Sequence, residues 1–161
     1  MITFIHVSSE FQIAKVADLA NVIWNEHYPK IIGQAQVDYM VEKFQSTKAI
    51  NQQIEEGYIY HLINYKDESV GYLSIKKNNN DLFLSKIYIL KELRGNGIGK
   101  LLTNYCIDLA KRENQSQLII HSTQAMQIAW SMYEKLGFKR YKSIDFMQAN
   151  LQVYGFRLLL N

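Results

Sequence analysis

The sequence predicts a single α/β domain over residues 1–161, with a mixed, mostly antiparallel central sheet and helices on both faces. Two observations lead to this class. The spacing of apolar residues changes from a helical period in the first third to β-rich runs in the middle. Further on, a glycine-rich segment and a helical pattern separate two apolar runs, which favours a parallel pair of strands with a right-handed crossover. At 48% hydrophobic residues, the chain can bury a core without disulfides or metal ions.

The first third of the chain is typical of one strand followed by helices. Residues 2–7 form the strand, and Ser9 with Gln12 matches a capping box that begins a helix. A second helix follows Gly33, and a third begins at 46 or 47, runs to 56 and stops at Gly57. The apolar faces of the first two helices are formed by Ile13, Val16, Ala17, Ala20, Ile23 and Trp24, and by Val37, Met40, Val41 and Phe44. We expect these helices to form a lid.

The middle of the chain predicts an antiparallel meander. Residues 58–64, 69–75 and 82–90 are rich in Tyr, Ile, Leu and Val, and polar turn clusters at 66–68 and 78–81 separate them.

The remaining segments alternate between helix and strand. A helix begins near Ile98, a short strand covers 117–121, and a last helix from about 126 to 136 ends at Gly137. Two strands, near 138–146 and 151–160, close the chain.

Composition and charge exclude several classes of protein. The net charge is +3, and the 18 Lys and Arg residues are scattered, so the excess suits a polyanionic cofactor better than nucleic acid. The chain shows no signal pattern and no apolar run of about 18 residues, which predicts a cytoplasmic protein that does not bind membranes. Cys106, the single cysteine, falls on an apolar helix face and is predicted to be a buried thiol. We predict no metal site.

The most informative segment is Arg94-Gly95-Asn96-Gly97-Ile98-Gly99-Lys100, which lies between a strand and a helix. Glycines at this place leave backbone N–H groups bare at a helix N-terminus, where the helix dipole favours an anion such as phosphate. A P-loop would need glycine at Arg94 and Ser or Thr at Leu101, and a dinucleotide fingerprint would need glycine at Lys100. Both alternatives therefore fit poorly.

This segment resembles the Arg/Gln-x-x-Gly-x-Gly/Ala motif of the GNAT superfamily of acetyl-CoA-dependent N-acetyltransferases. A second segment, from Ala129 to Phe138, is similar to the family's Ala-x-x-x-Tyr-Glu-Lys-x-Gly-Phe pattern. The resemblance covers roughly residues 1–147 in element order and is sharpest over 83–138. It departs at Met126, where the family commonly has an Asn that contacts the pantetheine arm. Thr123 or Gln124 is the expected substitute.

The resemblance implies a GNAT-like fold, acetyl-CoA as cosubstrate and a gap for its pantetheine arm between residues 85–90 and 118–121. The implied oxyanion donors are backbone N–H groups of Ile87, Tyr88 and Ile89. Tyr133 is implied as the acid that protonates the departing thiolate. The predicted cofactor-binding residues are Ile87, Tyr88, Ile89, Arg94, Gly95, Asn96, Gly97, Ile98, Gly99, Lys100 and Thr123.

Acyl transfer also needs a neutral amine, because an alkylammonium has a pKa near ~10.4 in water. Glu26, at the end of the first helix, and His121, at the end of a strand lining the implied gap, are the candidate bases; each also has an ordinary structural interpretation. Tyr28 and Tyr39 belong to an aromatic-rich group suited to an alkylammonium acceptor, although aromatic residues at this spacing more often form core.

These observations lead to a predicted N-acetyltransferase that acts on the primary amine of a small molecule by direct transfer in a ternary complex. Two alternatives stay open. In the first alternative, the acceptor is a protein N-terminus or a lysine. In the second, the chain is a CoA-binding module without catalysis. The sequence does not decide between a monomer and a homodimer.

Overall fold

The computed structural model of the protein describes residues 1–123, 127–146 and 151–160. It has the predicted α/β class, a mixed and mostly antiparallel sheet with helices. The described helices are α1 (Glu10–His27), α2 (Pro29–Ile32), α3 (Gln34–Gln45), α4 (Thr47–Glu55), α5 (Ile98–Arg112) and α6 (Gln127–Lys135), with a 3-10 helix at Lys91–Leu93. The described strands are β1 (Ile2–His6), β2 (Ile59–Tyr65), β3 (Glu68–Lys77), β4 (Asp81–Ile89), β5 (Gln117–Thr123), β6 (Lys139–Phe146) and β7 (Leu151–Leu159).

The strands are hydrogen-bonded in the order β1-β2-β3-β4-β5-β7-β6. The β1–β2, β2–β3, β5–β7 and β6–β7 pairs are antiparallel, whereas β4 pairs with β5 in parallel. The helix α5 connects these two parallel strands, as the sequence predicts. Their register runs from Asp81 opposite Gln117 to Leu84 opposite Ile120.

Local sequence signals account for most element boundaries. The Ser9 hydroxyl accepts a hydrogen bond from the Gln12 backbone N–H at 3.2 Å, and the Gln12 side chain accepts one from the Ser9 N–H at 3.0 Å, which confirms the capping box. Gly57 and Gly137 have positive φ angles of 100° and 98° where α4 and α6 end. The short helix α2 and the 3-10 helix are additions that the sequence did not predict.

The chain divides into two compact units, each built from two segments. Unit 1 comprises Met1–Ile75 and Lys86–Gly95, and unit 2 comprises Lys76–Ser85 and Asn96–Asn161. Both β3 and β4 therefore contribute residues to each unit. No helix within the described ranges is long and apolar enough to cross a membrane.

Unit 1 contains β1, β2, most of β3, the end of β4, and helices α1 to α4. Its core includes tyrosines from the strands, whose buried hydroxyl groups need hydrogen-bond partners. The fully buried side chains of this unit include Val16, Ala20, Val37, Ile50, Tyr60, Ile63, Tyr72 and Leu73.

Unit 2 contains the start of β4, then α5, β5, α6, β6 and β7. Cys106 is fully buried on α5, as predicted. The other fully buried apolar side chains here include Leu82, Leu102, Ala110, Leu118 and Phe156.

Candidate active site

The glycine-rich loop adopts backbone angles that favour glycine. Gly95 and Gly97 have φ angles of 80° and 76°, in the left-handed region that L side chains rarely adopt. A Cβ at Gly97 would meet no atom within 4 Å, so the φ angle is the constraint there. At Gly99 a Cβ would lie 3.8 Å from the Met132 Cε, an ordinary contact.

The N-terminus of α5 has no side chain to cap it. Gly97 is the N-cap residue, and the Leu101 N–H donates to the Gly97 carbonyl at 3.1 Å as the helix begins. By contrast, Ser9 caps α1 and Ser46 caps α4 through their hydroxyl groups. Because the first N–H groups of a helix have no acceptor within it, α5 presents donors to an anion.

The basic residues of the loop are exposed. The Arg94 side chain turns back in unit 1, where its Nε donates to the Ile89 carbonyl at 3.2 Å. In unit 2, Lys100 is exposed in the first turn of α5. The charge of Lys100 adds to the positive end of the helix dipole.

A close approach between β3 and β4 fixes the predicted cofactor edge in unit 1. A Cβ at Gly71 would lie 2.3 Å from the Tyr88 carbonyl oxygen and 3.2 Å from the Ile89 Cα. Only glycine fits at this position without moving backbone. Gly71 therefore sets the position of Tyr88 and Ile89, a contribution that sequence reasoning missed. The signal available was a lone glycine within an apolar strand.

Tyr133, the predicted acid, lies on α6 in unit 2 and is 4% exposed. Its ring centroid is 5.7 Å from those of Phe138 and Phe156. The backbone carbonyl of Tyr133 accepts a hydrogen bond from the Phe138 N–H at 3.0 Å. The residue is thus held by packing and by the turn that ends α6, and its role toward the coenzyme sulfur stays a prediction.

His121, one of the two candidate bases, is half-buried near the end of β5. Its ring is 4.8 Å from the Phe83 ring in an edge-on arrangement. Burial, together with the Lys142 ammonium, lowers the pKa of His121. The lowered pKa favours the neutral imidazole, the form that can accept a proton.

Glu26, the other candidate base, is exposed at the end of α1 in unit 1. Its Oε2 accepts a hydrogen bond from the Lys91 backbone N–H at 3.2 Å, at the start of the 3-10 helix. The carboxylate therefore caps this short helix and joins α1 to the turn that precedes Arg94.

The two predicted acceptor-binding tyrosines occupy different environments. Tyr28 is 2% exposed and stacks on Trp24 with ring centroids 4.3 Å apart. Tyr39 is 42% exposed on α3, and the Lys43 ammonium lies 5.4 Å from its ring and donates to its hydroxyl at 2.9 Å.

A buried lysine that sequence reasoning missed lies beside the predicted cofactor edge. Lys86 is 8% exposed on β4, one residue before Ile87. Its Nζ donates to the Phe44 carbonyl at 2.5 Å and lies 5.4 Å from the Tyr60 ring. Burial lowers the pKa of Lys86 to about 7. A lysine within the apolar run 82–90 was the available signal.

Several predicted features are not described by the structure. Thr123 ends β5, but its side chain falls outside the described part of the chain, as do Gln124 and Met126. The gap expected between residues 85–90 and 118–121 involves residues that belong mainly to different units, and it stays a prediction.

Comparisons with known proteins give concordant results. The sequence model of a family described as an acetyltransferase (GNAT) domain matches residues 30–160. The chain is 34% identical over 62 residues to N-alpha-acetyltransferase 30 from Schizosaccharomyces pombe, a match that covers 38% of this chain and 41% of that relative. The chain thus spans less than half the length of this relative.

Solved structures share the fold along nearly the whole chain. The PaiA N-acetyltransferase from Thermoplasma acidophilum in complex with coenzyme A has a TM-score of 0.79 at 16% identity, covering 99% of each chain. A GNAT family acetyltransferase from Elizabethkingia anophelis with acetyl-CoA bound has a TM-score of 0.72 at 17% identity, covering 99% of this chain and 98% of that one. At such identities the similarity establishes the fold.

Proposed function

Because this chain belongs to the family of acetyltransferase (GNAT) domains, we propose that it transfers an acetyl group from acetyl-CoA to the primary amine of a small molecule. The observation that carries the proposal is the start of α5. Glycine at the N-cap supplies no side-chain cap to the first turn, and Lys100 adds a positive charge. These groups suit the pyrophosphate of acetyl-CoA.

We propose direct transfer within a ternary complex. The amine nitrogen attacks the thioester carbonyl, the new C–N bond forms, and the C–S bond breaks to release the thiolate of CoA. The extra proton of the amine passes to a base, and the thiolate takes a proton from an acid. No group of the chain becomes acetylated on this route.

The state of Cys106 supports the direct route. An acyl-enzyme intermediate on cysteine needs a reactive thiolate. Cys106 is fully buried, and burial raises the pKa of its thiol to about 12. The thiol is therefore protonated and shielded, which makes it a poor nucleophile.

The remaining roles follow from the family resemblance together with the local geometry. The backbone N–H groups of Ile87, Tyr88 and Ile89 are proposed to polarise the carbonyl, and Tyr133 is proposed to protonate the thiolate. Of the two candidate bases, His121 has a lowered pKa, which favours its neutral form, whereas Glu26 already accepts a hydrogen bond from the Lys91 backbone N–H.

A contact on α3 supports an alkylammonium acceptor. The Lys43 ammonium lies 5.4 Å from the ring centroids of both Tyr39 and Phe44. An alkylammonium of the chain itself thus occupies an aromatic setting of the kind that recognises amines. We propose that an amine substrate is held near the helices of residues 10–55.

One observation favours a second candidate function, the acetylation of protein N-termini. The Schizosaccharomyces pombe relative carries the name of an N-alpha-acetyltransferase. The match covers 38% of this chain, so it bears on part of the domain.

An acetyl-CoA consumption screen tests these proposals. The acceptors are polyamines, amino acids, aminoglycosides and peptides with open N-termini. Turnover of a small amine with little turnover of peptides is the expected result. Turnover of peptides alone would replace the small-molecule proposal with the second candidate. Binding of acetyl-CoA by titration calorimetry without turnover of any acceptor would indicate a CoA-binding module.

A further inference from the structure

A hydrogen-bonded cluster in unit 1 connects the strands to the junction of α3 and α4. The Phe44 carbonyl, in the last turn of α3, accepts from the Lys86 Nζ at 2.5 Å and from the Gln53 Nε2 at 3.1 Å. The Gln53 Oε1 in turn accepts from the Tyr60 hydroxyl. A lysine on β4 and a glutamine on α4 thus meet at one carbonyl, and a tyrosine on β2 joins them through the glutamine.

A second contact holds the same junction. The Tyr72 hydroxyl on β3 donates to the Gln45 Oε1 at 2.9 Å, and Tyr72 is fully buried. The Ser46 hydroxyl then caps α4 by accepting from the Ala49 N–H at 3.2 Å. Three adjacent strands therefore fix the residues 44–46 through polar side chains and not only through apolar packing.

The burial of Lys86 needs an explanation beyond stability. Replacing a buried charged group by an apolar side chain of similar size is often neutral or stabilising. Lys86 forms no ion pair with a carboxylate among the described residues. Its stem and nitrogen are nonetheless directed to the Phe44 carbonyl, beside the strand segment whose backbone is proposed to bind the acetyl group.

We propose that Lys86 is a positioning residue: its amine holds the Phe44 carbonyl and thereby fixes the α3–α4 junction over strands β2 to β4. The proposal rests on the proposed function in one respect, namely that the acceptor binds near these helices. Lys86 itself contacts no reacting atom.

The arrangement makes this positioning depend on pH. The groups that face Lys86 are the Tyr60 ring on β2 and the Phe44 carbonyl on α3, with Tyr88 two residues along β4. The one lysine of α3, Lys43, lies over the Phe44 ring. Burial raises the pKa of both Tyr60 and Tyr72, so neither titrates near neutrality. Lys86 is the group that changes charge there, since burial lowers its pKa to about 7.

The direction of the pH effect depends on which form of the junction solvates the Lys86 ammonium better. An open junction exposes Lys86 to water, where its pKa returns toward ~10.4. Lys86 therefore favours opening most strongly below about pH 7, and closing becomes easier as pH rises from about 7 past ~10.4, beyond which the amine is neutral in both forms.

Hydrogen exchange measured by mass spectrometry on the intact protein tests the proposal. The variants are Lys86→Met, which keeps the length of the side chain, and Lys48→Met, the same change at an exposed lysine of α4. At about pH 10, where little of this opening effect of Lys86 remains, we expect the amides of residues 44–50 to exchange about threefold to tenfold faster in K86M than in the wild type and K48M, the effect of one lost hydrogen bond. At about pH 6 the difference shrinks or reverses.

A kinetic measurement separates positioning from a purely structural role. With 1,5-diaminopentane as the amine probe, K86M is expected to raise the acceptor KM at about pH 10 by a similar factor, with kcat and acetyl-CoA affinity little changed. The ionisation of the probe affects both proteins equally, so it cancels in the ratio of the KM of K86M to the KM of the wild type. K86M is expected to be at least as stable as the wild type.

The outcomes are distinct. Unchanged exchange over residues 44–50 in K86M, or faster exchange spread evenly over the chain, overturns the proposal. An acceptor KM that stays at the wild-type value at every pH also overturns it. If the wild type does not acetylate the probe, the proposed small-amine function fails for that probe, and the exchange pattern still decides the role of Lys86.

Discussion

The Glu26 carboxylate accepts a hydrogen bond from the Lys91 backbone N–H at 3.2 Å, across 65 positions of sequence. This contact gives Glu26 a capping role that Gln can replace, because an amide oxygen still accepts from an N–H. Gln cannot take a proton at neutral pH. We therefore expect Glu26→Gln to keep most of the acetylation rate, whereas His121→Gln loses about 10²–10⁴-fold, the usual contribution of a general base. Initial rates at saturating acetyl-CoA measure both; the reverse order would make Glu26 the base.

Gly99 is a better position than Gly97 for testing the cofactor loop by mutation. Gly97 has a φ of 76°, so any side chain there costs backbone energy of about 1–2 kcal/mol, and a loss of binding would be mixed with a loss of stability. Gly99 lacks this constraint. We expect Gly99→Leu to weaken acetyl-CoA binding by at least about tenfold, or ~1.4 kcal/mol, because its side chain crowds the first turn of α5. Titration calorimetry measures the affinity. Asn104→Leu, exposed on the same helix, is the control and should bind normally.

Tyr133→Phe separates a working acid from a packing residue. The change keeps the ring that contacts Phe138 and Phe156 and removes one hydroxyl. We expect a rate loss of about 10²–10⁴-fold if chemistry is rate-limiting, with thermal stability and acetyl-CoA affinity nearly unchanged. Single-turnover experiments across the pH range measure the chemical step, and Tyr65→Phe on β2 is the control. Wild-type rates in the variant would assign Tyr133 a structural role and the proton to water.

Gly71→Ala tests the close approach of β3 and β4. The added Cβ would lie 2.3 Å from the Tyr88 carbonyl oxygen, so backbone must move. We expect a loss of about 1–3 kcal/mol in the free energy of unfolding and a fall in acetyl transfer, because the Ile87–Ile89 segment shifts. Urea unfolding measures the stability. Gly99→Ala, whose Cβ meets the Met132 Cε at 3.8 Å, should have nearly wild-type stability. Equal stability of the two variants would contradict the close approach.

The pH dependence of stability gives a global measure of the Lys86 environment. The folded pKa of about 7 lies below the unfolded value of 10.5, so between these pH values the unfolded chain binds one more proton at this site. The contribution of Lys86 therefore makes the protein more stable as pH rises from about 7 to about 10.5, by up to ~1.4 kcal/mol per pH unit.

Urea unfolding of wild type and Lys86→Met over this pH interval measures the difference in slope. Other lysines contribute equally to both proteins and cancel. We expect the slope of the wild type to exceed that of the variant, and the variant to be the more stable protein at about pH 6. Parallel curves would mean that Lys86 keeps an ordinary pKa in the folded state.

Local signals made most of the fold predictable. Three of these signals each depend on a few neighbouring residues, and each is confirmed: the Ser9 capping box, the apolar face of α1 and Gly137. The short helix α2 was not predicted, because four residues are fewer than two turns and give no periodicity. The parallel pairing of β4 and β5 followed from the intervening helix and topology.

In the candidate site as well, features set by neighbouring residues could be predicted, and contacts between distant residues could not. The conformation of the glycine-rich loop could be predicted because seven consecutive residues carry the signal, and its binding of a cofactor stays a prediction. The burial of Lys86 was not, because its partner Phe44 is 42 positions away and a lysine in sequence is normally exposed. The contact of Gly71 with the Tyr88 carbonyl likewise depends on how two strands approach each other.

The burial of Cys106 has a practical consequence for assays that detect the free thiol of CoA. It is the one cysteine of the chain, and its thiol is both enclosed and protonated in the folded state. A colorimetric thiol reagent added during turnover should therefore count the CoA released, with no background from native protein. After denaturation the same reagent gains one equivalent per chain. The rate at which that signal appears without substrate then reports how often the helix α5 comes away from its unit.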